Sequence, residues 1–401
     1  MQRIAASVTV PLAPEFALLL DAVAPLARPR VDHRAWDGAR WGRTLRAAEW
    51  HRLSPLLSCH LRDDEHVPAA VRSALERAYL AASARGLFLA RALREALDAL
   101  DAAEVPALLL KGAALLGSAY LDPAQREMLD LDVLVPARRL GAANAALAAI
   151  GYGALGAEHA ADADADRPVH HDPALVRDER LVAVELHHQI TIAGEGRVDV
   201  EELWRAARPV ADAAHLLPAS EHLLAHVCLH FTRNRLGGSH RRRHTGGALA
   251  QVCDIARIVE REPLDWDALT RTARDWRLDA RVFLALFAAH ELGVAVPADA
   301  LATLRPARFD ERVGRRLVAL RVLGVGEQLP VRSLRWMVVP SREVLRRGWD
   351  ADPDATRSLA RAYLRRARAQ VPLARAALRR PWAVVQDRRL NRRVAALEEA
   401  V

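Results

Sequence analysis

The chain has 401 residues, about 51% of them hydrophobic, and a formal net charge of +8. This length allows two or three domains, and the abundance of alanine and leucine favours helices over sheets. No apolar run reaches the roughly 20 residues of a membrane span, and the N-terminus lacks the pattern of a signal peptide, so we expect a soluble cytoplasmic protein. The three cysteines form no CxxC pair, which argues against a disulfide framework or a zinc cluster.

The first 104 residues are predicted to be helical. Pro68 suits the first turn of a helix that contains Val71 and Leu75. A second helix is indicated by leucines that recur on one helical face, at Leu89, Leu93, Leu97 and Leu100. We therefore expect at least two separate helices before residue 104.

The pattern changes at residue 105. Residues 105–110 are an apolar run that predicts a buried strand, and residues 113–120 predict a helix. A second strand is predicted at 129–135, where Pro136 ends it and opens the next helix. A third strand is predicted at 181–188. Strands separated by helices over so short a stretch predict a small α/β or α+β unit.

From Ser220 onward the chain is predicted to be helical again. The spacing of His222, His226 and His230 could bind zinc through two of them. No cysteine or carboxylate completes such a site at matching spacing, so packing is the preferred interpretation. An arginine-containing loop at 237–247 and an arginine-rich tail from Thr356 could bind phosphates, RNA or anionic lipid. Solvated surfaces explain them equally well, and few aromatic residues accompany the tail for base stacking.

Two aspartates, Asp130 and Asp132, lie in the second predicted strand. Strand side chains alternate, so both carboxylates point to the same side, about 7 Å apart along the strand. Mg²⁺ prefers such oxygen ligands and keeps waters and phosphate oxygens in its remaining positions. Glu185 adds a carboxylate within an apolar strand, where a charge is costly unless it is paired or bound to metal. Three carboxylates from two strands predict a two-metal site for phosphoryl or nucleotidyl transfer.

Three further residues are candidates for binding phosphates. Lys111 is the only lysine among the 58 lysine and arginine residues, which either chance or a need for a compact ammonium at this site explains. With Gly112 it lies at a predicted strand-to-helix turn, where helix N–H groups can face a phosphate. Arg126 could add a second positive group. His187, on the face of Glu185, and His171, in the preceding loop, could orient the substrate or a metal-bound water; packing at the strand end is the simpler explanation for His187.

In their order along the chain, these residues resemble the uncharacterised bacterial nucleotidyltransferase family of the polymerase-beta-type superfamily. The resemblance covers most of residues 45–365. It rests on Leu-Leu-Leu-Lys-Gly ending at Gly112, on Tyr120, on Arg126, on Asp-Leu-Asp-Val-Leu-Val from Asp130, on residues 184–187, and on His230, Asp254-Ile255-Ala256, Leu264-Asp265-Trp266 and Val296-Pro297. It implies that Asp130, Asp132 and Glu185 bind metal. It also implies that Lys111, Gly112 and Arg126 contact the nucleotide triphosphate.

The sequence thus predicts an α+β protein with a small mixed sheet embedded in helices. We expect an N-terminal helical region at 1–95, a nucleotidyltransferase core at 96–200 and a C-terminal helical domain with a basic tail at 201–401. The expected reaction transfers a nucleoside monophosphate from an NTP, with ATP foremost, to an unidentified acceptor hydroxyl, releasing pyrophosphate. Two Mg²⁺ ions are expected, and Mn²⁺ could replace them.

Two alternatives remain open. The first is a non-catalytic nucleotide- or RNA-binding module that uses the same fold, because a fold alone does not establish chemistry. The second is kinase-like transfer of the γ-phosphoryl group. The absence of a G-x-x-x-x-G-K-[ST] segment argues against a P-loop version of that reaction.

Overall fold

A computed structural model of the chain describes residues 12–24, 30–154, 174–177, 182–192, 194–211, 213–236, 247–323, 393–394 and 396–397. Within these ranges, helices surround one mixed sheet of seven strands. This architecture confirms the predicted α+β class, with a small sheet inside a mostly helical protein.

Four helices precede the sheet: α1 (Pro14–Val23), α2 (Gly38–Trp50), α3 (Ser54–Leu61) and α4 (Ala69–Ala102). The two helices predicted between residues 68 and 104 are in fact one helix, α4, of 34 residues. Gly86 lies within this helix, and a Cβ there would lie 2.9 Å from the carbonyl oxygen of Pro123. The glycine therefore allows the segment at Pro123 to pack closely against α4.

The central region contains the sheet and three short helices. Its elements are β1 (Leu108–Leu109), α5 (Lys111–Leu115), β2 (Leu131–Leu134), α6 (Leu140–Ala149), β3 (Gly153–Ala154), β4 (Leu175–Arg177), β5 (Val182–His187), α7 (Val200–Arg205), β6 (Arg208–Pro209) and β7 (Leu216–Leu217). The three predicted strands are present as β1, β2 and β5, although β1 has two residues where six were predicted. Helix α5 begins two residues before the start predicted for it, and it ends five residues before the predicted end.

The order of the strands places the two longest ones side by side. Across the sheet the order is β3-β4-β5-β2-β1-β7-β6. The neighbours β2 and β5 run parallel, as do β1 and β7, and the other four pairs are antiparallel. Parallel pairing of β2 with β5 brings the Asp-Leu-Asp segment and the Glu185 strand together at the centre of the sheet.

The chain after the sheet is helical in its described parts. Its helices are α8 (Ser220–Phe231), which continues as a π-helix (Thr232–Leu236), then α9 (Ala248–Arg261), α10 (Trp266–Asp275), α11 (Asp279–Glu291), α12 (Ala298–Leu304) and α13 (Glu311–Arg321). Helix α8 contacts α9, α10, α11 and also α5 beside the sheet. It therefore connects the helical half of the chain to the region that carries the candidate site.

One hydrophobic core extends through all three predicted regions. It includes Leu19 of α1, Val133 of β2, Leu224 of α8 and Phe283 of α11. The predicted boundaries near residues 95 and 200 remain predictions; α4 runs across the first, and β6 and β7 follow the second. Among the described helices, none combines the length and the apolar character needed to cross a membrane.

Candidate active site

The candidate site begins with two carboxylates on neighbouring strands. Asp132 of β2 stands in register with Glu185 of β5, so their side chains share one face of the sheet. Asp130 directly precedes β2, two residues before Asp132, which keeps it on that side of the chain. The pairing thus brings Asp132 and Glu185 together, whereas Asp130 lies just outside the strand and is close enough for its pKa to respond to both.

The three acidic groups influence one another electrostatically. Burial first, and then the nearby charges of Asp132 and Glu185, raise the pKa of Asp130 to about 6 against the opposing effect of Lys111 and Arg126. Like charges disfavour ionisation only over short distances. The raised pKa of Asp130 therefore reflects its burial first and the two neighbouring carboxylates second.

Asp132 is the most buried member of the cluster, with 2% of its surface exposed. Its Oδ1 accepts hydrogen bonds from Lys111 Nζ at 2.5 Å and from His187 Nε2 at 2.8 Å. Burial alone would raise the pKa of Asp132, but the Lys111 charge and the His187 hydrogen bond outweigh it and hold that pKa well below its usual range. Asp132 is therefore an ionised carboxylate at the centre of the site.

Lys111 reaches Asp132 from the turn between β1 and α5. It is the first residue of α5, and its φ of 44° lies in the left-handed region, which is uncommon for a residue with a side chain. The Leu110 N–H donates to the Asp132 carbonyl oxygen, so this turn is fixed to β2 immediately before the lysine. Such an unusual conformation persists only where surrounding contacts hold it, often at functional sites.

Asp132, Glu185 and His187 could together hold a metal ion. One ligand atom of each lies within 4.8 Å of the others, and His187 Nε2 is 3.6 Å from Glu185 Oε2. Ligands of one Mg²⁺ ion at about 2.1 Å stand about 3.0 Å apart on adjacent positions and about 4.2 Å apart on opposite ones, so these atoms would have to move together by roughly half an ångström or more. The carboxylates suit Mg²⁺ or Mn²⁺, and the residues fit a divalent cation.

His187 lies inside this group. Burial would lower its pKa, but its hydrogen bonds with Asp132 and Glu185 raise the pKa above the usual value. The raised pKa favours the positively charged imidazole of His187, whose charge offsets the negative charge of Asp132 and Glu185. The predicted part for His187, orientation of substrate or of a metal-bound water, remains a prediction.

Arg126 is paired with an aspartate that the sequence did not single out for a role. Its Nε and Nη2 donate to the two carboxylate oxygens of Asp254 in α9, at 3.1 and 3.0 Å. The Tyr120 hydroxyl donates to Asp254 Oδ1 at 2.9 Å. A signal was present in the sequence, since Asp254 interrupts an apolar stretch that includes Cys253 and Ile255, where an unpaired charge is costly.

Gly112 allows Arg126 to approach α5. A Cβ at position 112 would lie 3.3 Å from Arg126 Cζ and 2.9 Å from Met128 Sδ. The glycine is thus required locally by close packing. Contact of Gly112 with a triphosphate remains a prediction.

The histidines of α8 are packed among other side chains. His222 stacks on Trp276 with ring centroids 4.8 Å apart. Burial lowers the pKa values of His226 and His230 well below the usual range, and Lys111 lowers them further, so both lie near the candidate site. In the part of the chain that the structure describes, the group that could hold a metal ion consists of Asp132, Glu185 and His187 and includes neither these histidines nor Asp130.

Several predicted features lie outside the described residues. These are His171, residues 237–246 of the arginine-containing loop and most of the arginine-rich tail.

A comparison with protein families matches residues 37–293 to a family described as uncharacterised nucleotidyltransferase. The matched segment covers more than half of the 401 residues and includes every described residue of the candidate site. No curated protein and no solved structure shows significant similarity to the chain.

Proposed function

Because the chain belongs to the uncharacterised nucleotidyltransferase family, we propose that it transfers a nucleoside monophosphate from an NTP to an acceptor hydroxyl, with Mg²⁺ as cofactor. ATP is the first donor to test, and pyrophosphate is the expected second product. The cytoplasm, which supplies NTPs, is the proposed compartment.

The in-register pairing of Asp132 with Glu185, with Asp130 beside them, carries this proposal. The arrangement supplies carboxylates from two strands on one face, as metal-assisted transfer to a phosphorus atom requires. Lys111, Gly112 and Arg126 stand next to this cluster and are proposed to bind the triphosphate. The metal ligands are proposed to be Asp130, Asp132 and Glu185, with His187 beside them as a hydrogen-bond donor to Asp132.

In the proposed reaction, the acceptor oxygen attacks the α-phosphorus of the NTP. A new oxygen–phosphorus bond forms while the bond from that phosphorus to the α,β-bridging oxygen breaks, and pyrophosphate leaves with the electron pair. The hydroxyl proton passes to Glu185 or to solvent. Mg²⁺ bound at the carboxylates would neutralise phosphate charge and favour ionisation of the acceptor hydroxyl. Lys111 and Arg126 would hold the phosphates and compensate their charge.

Thermal unfolding with each NTP, with and without Mg²⁺, tests the proposal. A ligand that binds only the folded state raises the free energy of unfolding by about 2.7 kcal/mol when its concentration is 100 times its Kd. We expect a Mg²⁺-dependent rise in Tm for wild type that is lost in Asp130→Asn/Asp132→Asn. The exposed pair Asp98→Asn/Asp101→Asn in α4 should keep the rise.

Three outcomes of this test lead in different directions. No rise with any NTP, in folded wild type, contradicts the proposal. A rise that survives loss of both aspartates favours a binding module without metal chemistry. Once an NTP binds, release of pyrophosphate with candidate acceptors supports nucleotidyl transfer, whereas release of a nucleoside diphosphate indicates γ-phosphoryl transfer instead.

A further inference from the structure

Asp254 connects the helical half of the chain to the candidate site. It lies in α9 with 4% of its surface exposed, and both of its carboxylate oxygens accept from Arg126. Tyr120, which is 2% exposed, donates a hydrogen bond from its hydroxyl group to the same carboxylate. Three hydrogen bonds fix the orientation of this buried carboxylate, and they also fix the orientation of the Arg126 guanidinium that donates two of them.

The position of the Arg126 guanidinium matters because it borders the acidic cluster. Its Cζ packs against Gly112, next to Lys111 in the sequence, and its charge lowers the pKa of Asp130. Nε and Nη2 donate to Asp254, and Nη1 donates to the Glu127 carbonyl oxygen. A guanidinium has five N–H donors. Three of them are used in these hydrogen bonds, and no acceptor among the described residues is found for the other two. The Arg126 side chain keeps 18% of its surface exposed, whereas Asp254 and Tyr120 are almost fully buried.

We propose that Asp254 is a positioning residue for the nucleotide, which holds the Arg126 guanidinium so that its remaining N–H donors meet the triphosphate. This inference rests on the proposed function. It makes α9, in the helical half of the chain, part of the nucleotide site, with Tyr120 as the second anchor of the carboxylate. An arginine without this partner would lose its fixed direction, and planar recognition of a phosphate depends on that direction.

The test compares wild type with Asp254→Asn in titrations with Mg²⁺ and the NTP that stabilises wild type most. Asparagine keeps the size of the side chain but removes the charge that grips Arg126. We expect the Kd for the NTP to rise at least tenfold. In turnover measurements, KM should rise by a similar factor while kcat changes less than threefold. Tyr120→Phe, which removes one hydrogen bond to Asp254, should shift the Kd in the same direction by a smaller factor.

A matched control separates this positioning effect from loss of stability. Asp21 and Arg30 form another buried ion pair, with side chains 3% and 6% exposed, between α1 and the segment that follows it. Asp21→Asn should lower the Tm as Asp254→Asn does but leave the Kd for the NTP unchanged. If Asp21→Asn weakens NTP binding to the same degree, the effect of Asp254 is a general consequence of destabilisation and the proposal fails.

A double-mutant cycle tests whether Asp254 acts through Arg126. Arg126→Met and Arg126→Met/Asp254→Asn should bind the NTP equally weakly, since Asp254 has no arginine to position in either. The double variant should regain part of the Tm lost in Asp254→Asn, because it no longer buries an unpaired guanidinium. Additive losses of affinity would contradict the proposal.

The remaining outcomes distinguish this inference from the proposed function. If wild type binds the NTP and Asp254→Asn binds it equally well or more tightly, Asp254 restrains Arg126 without serving the nucleotide, and only the inference is overturned. If wild type binds no NTP, the proposed function fails, and the inference fails with it.

Discussion

Lys111 donates to the carboxylate that the proposed reaction requires as a metal ligand. Its Nζ lies 2.5 Å from Asp132 Oδ1, so a divalent cation bound there would meet a positive charge. For both cations to be accommodated, the ammonium must move away from Asp132, and a phosphate group is a suitable destination. Binding of metal and binding of nucleotide are then thermodynamically coupled, each strengthening the other.

Lys111→Met should therefore increase the affinity for a metal ion in the absence of nucleotide. Removing a positive charge a few ångströms from a divalent cation relieves repulsion of a few kcal/mol even at an effective dielectric constant of about 20. We expect Mn²⁺, followed by electron paramagnetic resonance, to bind at least about tenfold more tightly, a gain of about 1.4 kcal/mol. The benefit of added NTP for Mn²⁺ binding should shrink by a comparable factor.

A control for this measurement is Arg43→Met, which removes a positive charge that pairs with Glu15 between α1 and α2. It should leave Mn²⁺ affinity unchanged. Equal or weaker Mn²⁺ binding by Lys111→Met would mean that the lysine supports the metal site and does not compete with the ion.

At the level of single residues, the sequence predicted the parts of the site that depend on local rules. Alternation along a strand relates Asp130 to Asp132, and the cost of a charge in an apolar strand singles out Glu185. Asp254 escaped prediction because its partner Arg126 lies 128 positions away, at a contact that only the packing of α9 against the sheet region creates. The same reason hid the approach of His226 to Lys111.

Among the elements, length limits which strands a sequence pattern can reveal, and β1, with only two residues, was predicted because it lies in the longer apolar run at 105–110. β2 and β5 have four and six residues, enough for an apolar pattern to be seen. β3, β6 and β7 have two residues each and β4 has three, so they contain too few side chains for any period to be visible. These strands form because neighbouring backbones pair with them. Their existence is therefore a property of the assembled sheet, which local sequence does not encode.

The start of α5 depends on the glycine that follows Lys111. Gly112→Ala would bring a Cβ to 2.9 Å from Met128 Sδ and 3.3 Å from Arg126 Cζ, so both side chains must shift. We expect a stability loss of about 1–2 kcal/mol, as is usual for overpacking. Because Arg126 moves, we also expect NTP affinity to fall several-fold. Urea unfolding and NTP titration of the same preparation measure the two effects.

Gly141 in α6 provides the matched control, because a Cβ there would meet nothing within 4 Å. Gly141→Ala should be stabilising by about 0.5–1 kcal/mol, since alanine loses less backbone entropy in a helix, and it should not alter NTP affinity. Unchanged NTP binding in Gly112→Ala would show that Arg126 does not need its observed position.

For the whole molecule, the continuous core shows why a change in composition along the chain does not by itself define a domain boundary. Composition changes sharply near residue 105, yet apolar side chains from α1 to α13 fill one interior. Helix α1 lies before the matched segment 37–293, but its Leu18, Leu19 and Leu20 are at most 1% exposed and it contacts α9. A local change in amino-acid composition marks a change from helix to strand, whereas a domain boundary depends on which surfaces of the protein pack together.

His51 lies where the first helices meet the C-terminal half. It follows α2, its Nδ1 accepts from the Leu249 N–H of α9 at 3.4 Å, and its ring contacts Phe16 of α1. Burial, with a smaller effect from Arg235, lowers its pKa from 6.5 to about 4. The folded protein therefore holds this histidine neutral at the junction, where a neutral Nδ1 is needed to accept the Leu249 hydrogen bond.

This histidine should make the folded protein sensitive to mild acid. Between pH 6.5 and about 4 the unfolded chain takes up a proton at His51 that the folded chain refuses, so stability falls as the pH falls through that window. The free energy of unfolding should fall by about 3 kcal/mol in total, at about 1.4 kcal/mol per pH unit within that window. His51→Asn, measured by urea unfolding from pH 7.5 to 4.5, should reduce the number of protons taken up on unfolding by about one. Leu249→Ala weakens the same junction without removing a titratable group, so it should lower stability equally across the pH range. If His51→Asn keeps the slope of wild type, the acid sensitivity comes from other buried histidines, such as His226 and His230, whose lowered pKa values act in the same direction.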